Sequence, residues 1–195
     1  MIMNKTKGFT LLETLIAVAI MMVAISSAFG LAPEGLVGAR FAKNQTTATY
    51  LAQEAIEAVR NIRDNAMFFA ADPLDPQNWL KDLLDCVGQL CTIDVREAKV
   101  SACISDCSPL DVLVEGDKTS YVSHIGTVGP DRYPSIFTRE IIITPRINSK
   151  VAELRDDTGE DTEALITVRV RWKEGTITKV TEMNEFIFDW WTFTK

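Results

Sequence analysis

Between Glu13 and Glu34 lie twenty residues without a charge, reading TLIAVAIMMVAISSAFGLAP. As a helix rising about 1.5 Å per residue, such a run spans about 30 Å, the thickness of a bilayer hydrocarbon core. A membrane span over residues 14–33 is the direct expectation. Lys5 and Lys7 precede the run and Glu34 follows it, so the charge bias puts the N-terminus in the cytoplasm and the remaining chain outside. A cleaved secretory signal is the alternative, with Ala28 and Ala32 as the small residues of a cutting site. Against it stand the length of the apolar run and the carboxylate of Glu13 near its start. An ionisable group at membrane depth costs on the order of 2.5 to 3.5 kcal/mol, so it calls for a partner.

The chain has 195 residues, enough for one domain of ordinary size carried on an extra element. Its 20 Lys and Arg against 27 Asp and Glu give a net charge of −7, which works against broad attraction to phosphate backbones and disfavours nucleic acid as a partner.

The segment Lys7-Gly8-Phe9-Thr10-Leu11-Leu12-Glu13 resembles the class III signal of type IV prepilins and type II secretion pseudopilins. The shared features are a short basic leader, a Gly, a Phe, a Glu five places after the Gly, and the apolar span. The resemblance implies cleavage after Gly8 by prepilin peptidase on the cytoplasmic side, N-methylation of Phe9, and retention of the hydrophobic helix. It also implies that Glu13 meets the α-amine of Phe9 on a neighbouring subunit, so that Glu13 encodes assembly rather than catalysis. Partners implied in the same way are other pilin or pseudopilin subunits, an inner-membrane assembly platform and the lipid bilayer.

Gly30, Pro33 and Gly35 are poor helix formers, and the helix is expected to bend or loosen there. Past Gly38 a helical pattern resumes to about residue 65. Phe41, Ala48, Leu51, Ala52, Ala55, Ile56, Val59 and Ile62 fall on one face, while Lys43, Gln45, Gln53, Glu54, Glu57 and Arg60 fall on the other. Arg60 and Asp64 are spaced for an i,i+4 pair. Residues 51–60 also resemble the corresponding helix of minor pilins and minor pseudopilins.

Asp72-Pro73 and Asp75-Pro76 punctuate the chain, and residues 77–85 suggest a short helical piece anchored by Trp79. Cys86, Cys91, Cys103 and Cys107 all lie outside the membrane by the expected topology. Four cysteines there favour two disulfides, with three connectivities open. A zinc site is the alternative, but the spacings C-x4-C and C-x3-C miss the usual tight knuckle. Strands are expected at 92–100, 110–115, 136–147 and 164–173, with turns at Gly116-Asp117, Gly129-Pro130 and Glu174-Gly175 and a partner strand at about 176–188. In the clearest strand Ile166, Val168, Val170 and Trp172 alternate with Thr167, Arg169, Arg171 and Lys173.

The basic row Arg169, Arg171, Lys173 and Lys179 reads as a solvated strand face diluted by Glu174, Glu182 and Glu185. The acidic stretch 156–163 lacks the alternating ligands of a calcium loop. His124, the one histidine, has no evident nucleophile or acid around it. Trp190, Trp191, Phe186, Phe188 and Phe193 are expected to close the core or pack on the helix. No cofactor, metal or catalytic constellation is expected.

The expected fold is α+β and pilin-like: a long N-terminal helix, half transmembrane and half amphipathic, packed on an antiparallel β-sheet. Its parts are a basic leader (1–8), a transmembrane polymerisation helix (9–33), an amphipathic continuation (34–65) and an extracytoplasmic, disulfide-prone, β-rich head (66–195). The expected function is that of a minor pilin, a subunit of a type IV pilus or related filament. The alternatives are a minor pseudopilin of type II secretion and a tip module for adhesion or DNA uptake. The expected location is the inner membrane before assembly, N-in and C-out, and an extracytoplasmic filament afterwards.

Overall fold

The computed structural model describes residues 8–69, 78–122, 131–146 and 163–189, without the side chains at 28, 31, 32, 78 and 146. Lys5, Lys7, Asp72-Pro73, Asp75-Pro76, His124, Gly129-Pro130, the acidic residues 156–162, and Trp190, Trp191 and Phe193 lie outside that description. The chain divides into two compact units, Met1–Lys43 and Asn44–Lys195.

Helix α1 runs from Leu11 to Phe68, 58 residues with Pro33 inside. The helix thus continues through Gly30, Pro33 and Gly35, where a bend or loosening was expected, with no break in its helical assignment. Proline removes one N–H from the ladder, and the ordinary helix formers on either side, Ala28, Leu31, Leu36 and Ala39, keep the remaining rungs. Among the described residues no helix is long and apolar enough to cross a membrane. The run expected to do so passes through residues 28, 31 and 32, whose side chains are not described.

In the second unit the last third of α1 packs on a sheet through the stripe its spacing implied. Ala48, Leu51, Ala52, Ala55, Ile56, Val59 and Ile62 are all buried. A 3₁₀ helix (Asn78–Cys86) follows, with Trp79 buried as expected. Then come β1 (Cys91–Asp94), β2 (Lys99–Ala102), β3 (Asp111–Glu115), β4 (Lys118–Val122), β5 (Arg132–Pro134), β6 (Phe137–Arg146), β7 (Glu163–Glu174) and β8 (Ile177–Phe188). They form two antiparallel sheets, five-stranded β2-β1-β6-β7-β8 and three-stranded β4-β3-β5. Helix first and sheet afterwards is the α+β order read from the sequence.

The alternation in β7 is realised: Ile166, Val168, Val170 and Trp172 are buried toward the helix, together with Ile141 and Ile143 of β6. Two-residue loops close the β3–β4 hairpin at the expected turn Gly116-Asp117 and the expected β7–β8 hairpin at 175–176, one residue later than expected, with Gly116 at φ 61° and Gly175 at φ 60° in the first central position. That is the glycine-first arrangement of a type II′ turn, whose left-handed first residue matches the strand twist.

The single strand expected at 92–100 is instead the β1–β2 hairpin. The buried Asp94 carboxylate accepts the backbone N–H groups of Arg96 at 2.9 Å and Glu97 at 3.2 Å, and Ala98 takes a left-handed φ of 49°. An aspartate bonding two residues ahead competes with an extended chain and starts a turn. Strands β4 and β5 were not expected. They are short and polar, and their place is set by pairing with β3, which puts Tyr121 and Tyr133 opposite Val112. Phe186 and Phe188 do not close the core: they are 42% and 38% exposed, because Ile187 between them takes the inward position.

The cysteines pair in sequence order, Cys86 with Cys91 and Cys103 with Cys107, with Cα separations of 5.2 and 5.0 Å. Gly88, at φ 70°, turns the chain between the first pair while its N–H bonds to Ile143 O at 2.9 Å. The thiols are thus consumed in bridges, and the zinc alternative falls. Loops this short remove only a modest amount of unfolded-state entropy. Replacing Cys86 and Cys91 together by alanine is expected to cost about 2 kcal/mol, lowering the melting temperature by about 4–8 °C. A calorimetric melt that does not move would refute this.

Candidate functional site: the N-terminal segment and the helix it opens

Thr10 caps α1. Its backbone carbonyl accepts the N–H groups of Glu13 at 3.0 Å and Thr14 at 3.2 Å, and its hydroxyl accepts the Glu13 N–H at 3.3 Å. Thr10-Leu11-Leu12-Glu13 is thus a Thr-x-x-Glu opening, with the Glu13 carboxylate in the first turn, where the positive end of the helix dipole favours it. Gly8, Phe9 and Thr10 precede the helix as irregular, exposed chain.

The fold itself places no demand for glycine at position 8. A Cβ built there meets nothing within 4 Å, and its φ lies outside the left-handed region.

From Thr14 to Ser27 the helix is uncharged and mostly apolar on all sides rather than striped. Phe9 is 76% exposed, and Leu12, Leu15, Ile20, Met21, Met22, Val23 and Phe29 are exposed as well. A helix hydrophobic all round needs an apolar solvent or apolar neighbours. The hydroxyl residues among 14–27 fit such surroundings. Thr14 donates to Leu11 O at 2.8 Å, Ser26 to Met22 O at 2.7 Å and Ser27 to Val23 O at 2.8 Å. Each polar group is satisfied by its own helix, as hydrocarbon requires.

On the sheet, two of the row of basic residues, Arg169 and Arg171, are paired with acidic neighbours. Arg169 donates to Glu182 at 2.6 Å, and Arg171 reaches both Glu140 and Asp106. The hydrogen bond from Arg169 holds the Glu182 carboxyl below its ordinary range, with the Asn184 amide adding to it. On α1, Arg60 pairs with Glu57 at 2.5 Å and with Glu185 of β8, not with Asp64 as spacing implied; Asp64 meets Arg63 at 2.7 Å. A longer reach to the sheet competes successfully with the i,i+4 neighbour.

Arg139 is the residue that pattern reading passed over. It is the largest fully buried side chain among the described residues. One guanidinium nitrogen donates to Leu51 O at 3.2 Å and to Glu54 at 2.8 Å, and the other to Ile93 O at 2.8 Å. Burial pushes its pKa down from the ordinary arginine value, and the Glu54 carboxylate works against that shift. The signal was present: Arg139 is in phase with Phe137, Ile141 and Ile143, the inward positions of a period-two strand. Glu54, expected on the wet face of α1, is the partner that makes this burial tolerable.

Compared with known proteins, the chain has no matching curated sequence and no matching solved structure. Residues 3–29 match the family described as the prokaryotic N-terminal methylation motif, and this supports a type IV pilin-like protein.

Proposed function

We propose that the chain is a structural subunit of a type IV pilus or type IV-like filament, of the minor pilin kind, whose role is assembly and not catalysis. Prepilin peptidase cuts after Gly8, Phe9 is N-methylated, and the retained apolar helix serves first as a membrane anchor and then as the packing element of the filament. Before assembly the chain sits N-in and C-out in the inner membrane, held by the run between Glu13 and Glu34. The observation that carries this reading is the methylation motif at 3–29, set directly on a helix that is apolar all round. The hydroxyls bonded inward along the helix agree with it.

The test is mass spectrometry of the N-terminus recovered from native membranes. The expected terminus is Phe9 carrying one methyl group, and Gly8→Ala is expected to leave the leader, with Lys5 and Lys7, attached. A native polypeptide beginning beyond Ala28, or one keeping its leader in assembled material, would overturn the proposal.

A further inference from the structure

We propose that Arg139 and Glu54 form a register latch, which fixes where along α1 the five-stranded sheet sits and serves this alignment rather than net stability. The apolar contact is one part of what sets that position. On the helix Ala48, Leu51, Ala52, Ala55, Ile56, Val59 and Ile62 are buried, and on the sheet Ile93, Ile141, Ile143, Ile166, Val168 and Val170. Their burial is non-directional, and it opposes a four-residue slip toward the ends of the stripe, where Arg60 and Arg63 would replace Ile56 and Val59, or Asn44 and Thr47 would replace Ala48 and Leu51.

The guanidinium is directional. From β6 it reaches backbone Leu51 O and the Glu54 carboxylate on α1, and Ile93 O on β1, so three elements meet at one planar group. A slip of α1 by one turn, about 6 Å for four residues, would bring Tyr50 or Ala58 to the place of Glu54. Neither carries a carboxylate, so the buried guanidinium would lose the carboxylate it bonds on α1 and keep only the charge of Asp94 on β1. Asn44 to Glu174 at 3.3 Å and Arg60 to Glu185 agree with the same alignment but sit at the partly exposed rim, where water can replace them.

The latch is poorly made as a source of stability. Arg139 Nε has no partner among the described residues, and Glu54 remains 43% exposed. A buried charge with an orphaned donor is costly, and apolar replacements of similar volume are often as stable. What such a pair supplies is discrimination between alignments. In a subunit assembled through its helix, a slipped register would move every head surface by about 6 Å along that helix. This last consequence rests on the proposed assembly role, whereas the latch itself is testable in the unassembled chain.

The test uses the full chain in detergent with Arg60→Lys, so that a zero-length carbodiimide can join position 60 to Glu185 on β8 and to Glu57 within α1. The Glu57 product does not depend on helix–sheet alignment and serves as the internal reference. Adding Arg139→Met with Glu54→Leu is expected to leave a cooperative melt within about 5 °C of the parent and to lower the Glu185-to-Glu57 product ratio by about fivefold or more, with new joins from position 60. An unchanged ratio would overturn the latch. Loss of cooperative melting would overturn it too, since the pair would then be serving stability. Filament formation does not enter either readout.

Discussion

Glu13→Gln is expected to leave the chain cleaved and in the membrane while reducing its incorporation into filaments by at least about tenfold. The prepilin resemblance implies a filament interior in which the carboxylate and the Phe9 ammonium of a neighbour would relieve each other's desolvation. Removing one leaves the other uncompensated at a cost of several kcal/mol, against about 1.4 kcal/mol per factor of ten. The glutamine separates this role from the local one. Position 13 is also the fourth residue of the Thr10 cap, and Gln serves a capping box about as well as Glu. If Glu13 matters only to the helix start, where a first-turn carboxylate is worth about 0.3–1 kcal/mol, the glutamine variant will assemble normally. Quantifying the chain in sheared filaments against its level in membranes decides between the two.

The second large effect is expected in the head. Glu54→Ala should destabilise it by about 3 kcal/mol, the lower end for breaking a buried pair because the carboxylate is itself half-exposed. For a chain of this size that is a fall of about 6–12 °C in melting temperature. Glu57→Ala, one turn along, removes the carboxylate that meets Arg60 with its side chain 66% exposed, and is expected to cost at most about 1 kcal/mol. Both carboxylates look alike in the sequence, on the same polar side of the same helix. Thermal melts of the two variants side by side provide the check, and equal shifts would mean that Arg139 does not depend on Glu54.

The local rules were legible wherever the signal was local. The helix stripe from Ala48 to Ile62, the β7 alternation and the two glycine-first hairpins each follow from spacing or from a residue able to take positive φ, and each stands in the structure. Reading by residue type alone failed where another local signal prevailed. Pro33 lies inside α1 and the helix continues on both sides of it. Asp94 folded one expected strand into a hairpin through two backbone bonds. Phe186 and Phe188 have the composition of core residues and the phase of surface ones, and phase prevailed.

By itself the sequence determined the N-terminal chemistry: a basic leader, Gly8, Phe9, Glu13 and an uncharged run, features that are contiguous and need no fold to be brought together. It also determined the helix-then-sheet order, since period and turn chemistry are written along the chain. The tertiary structure decided the pairing of Cys86 with Cys91 and Cys103 with Cys107, the place of β4 and β5, and the meeting of Arg139 with Glu54 across 85 positions of sequence. These depend on which surfaces come into contact when the helix lies on the sheet. The cost of burying a charge is set by that contact and by no property of the arginine alone.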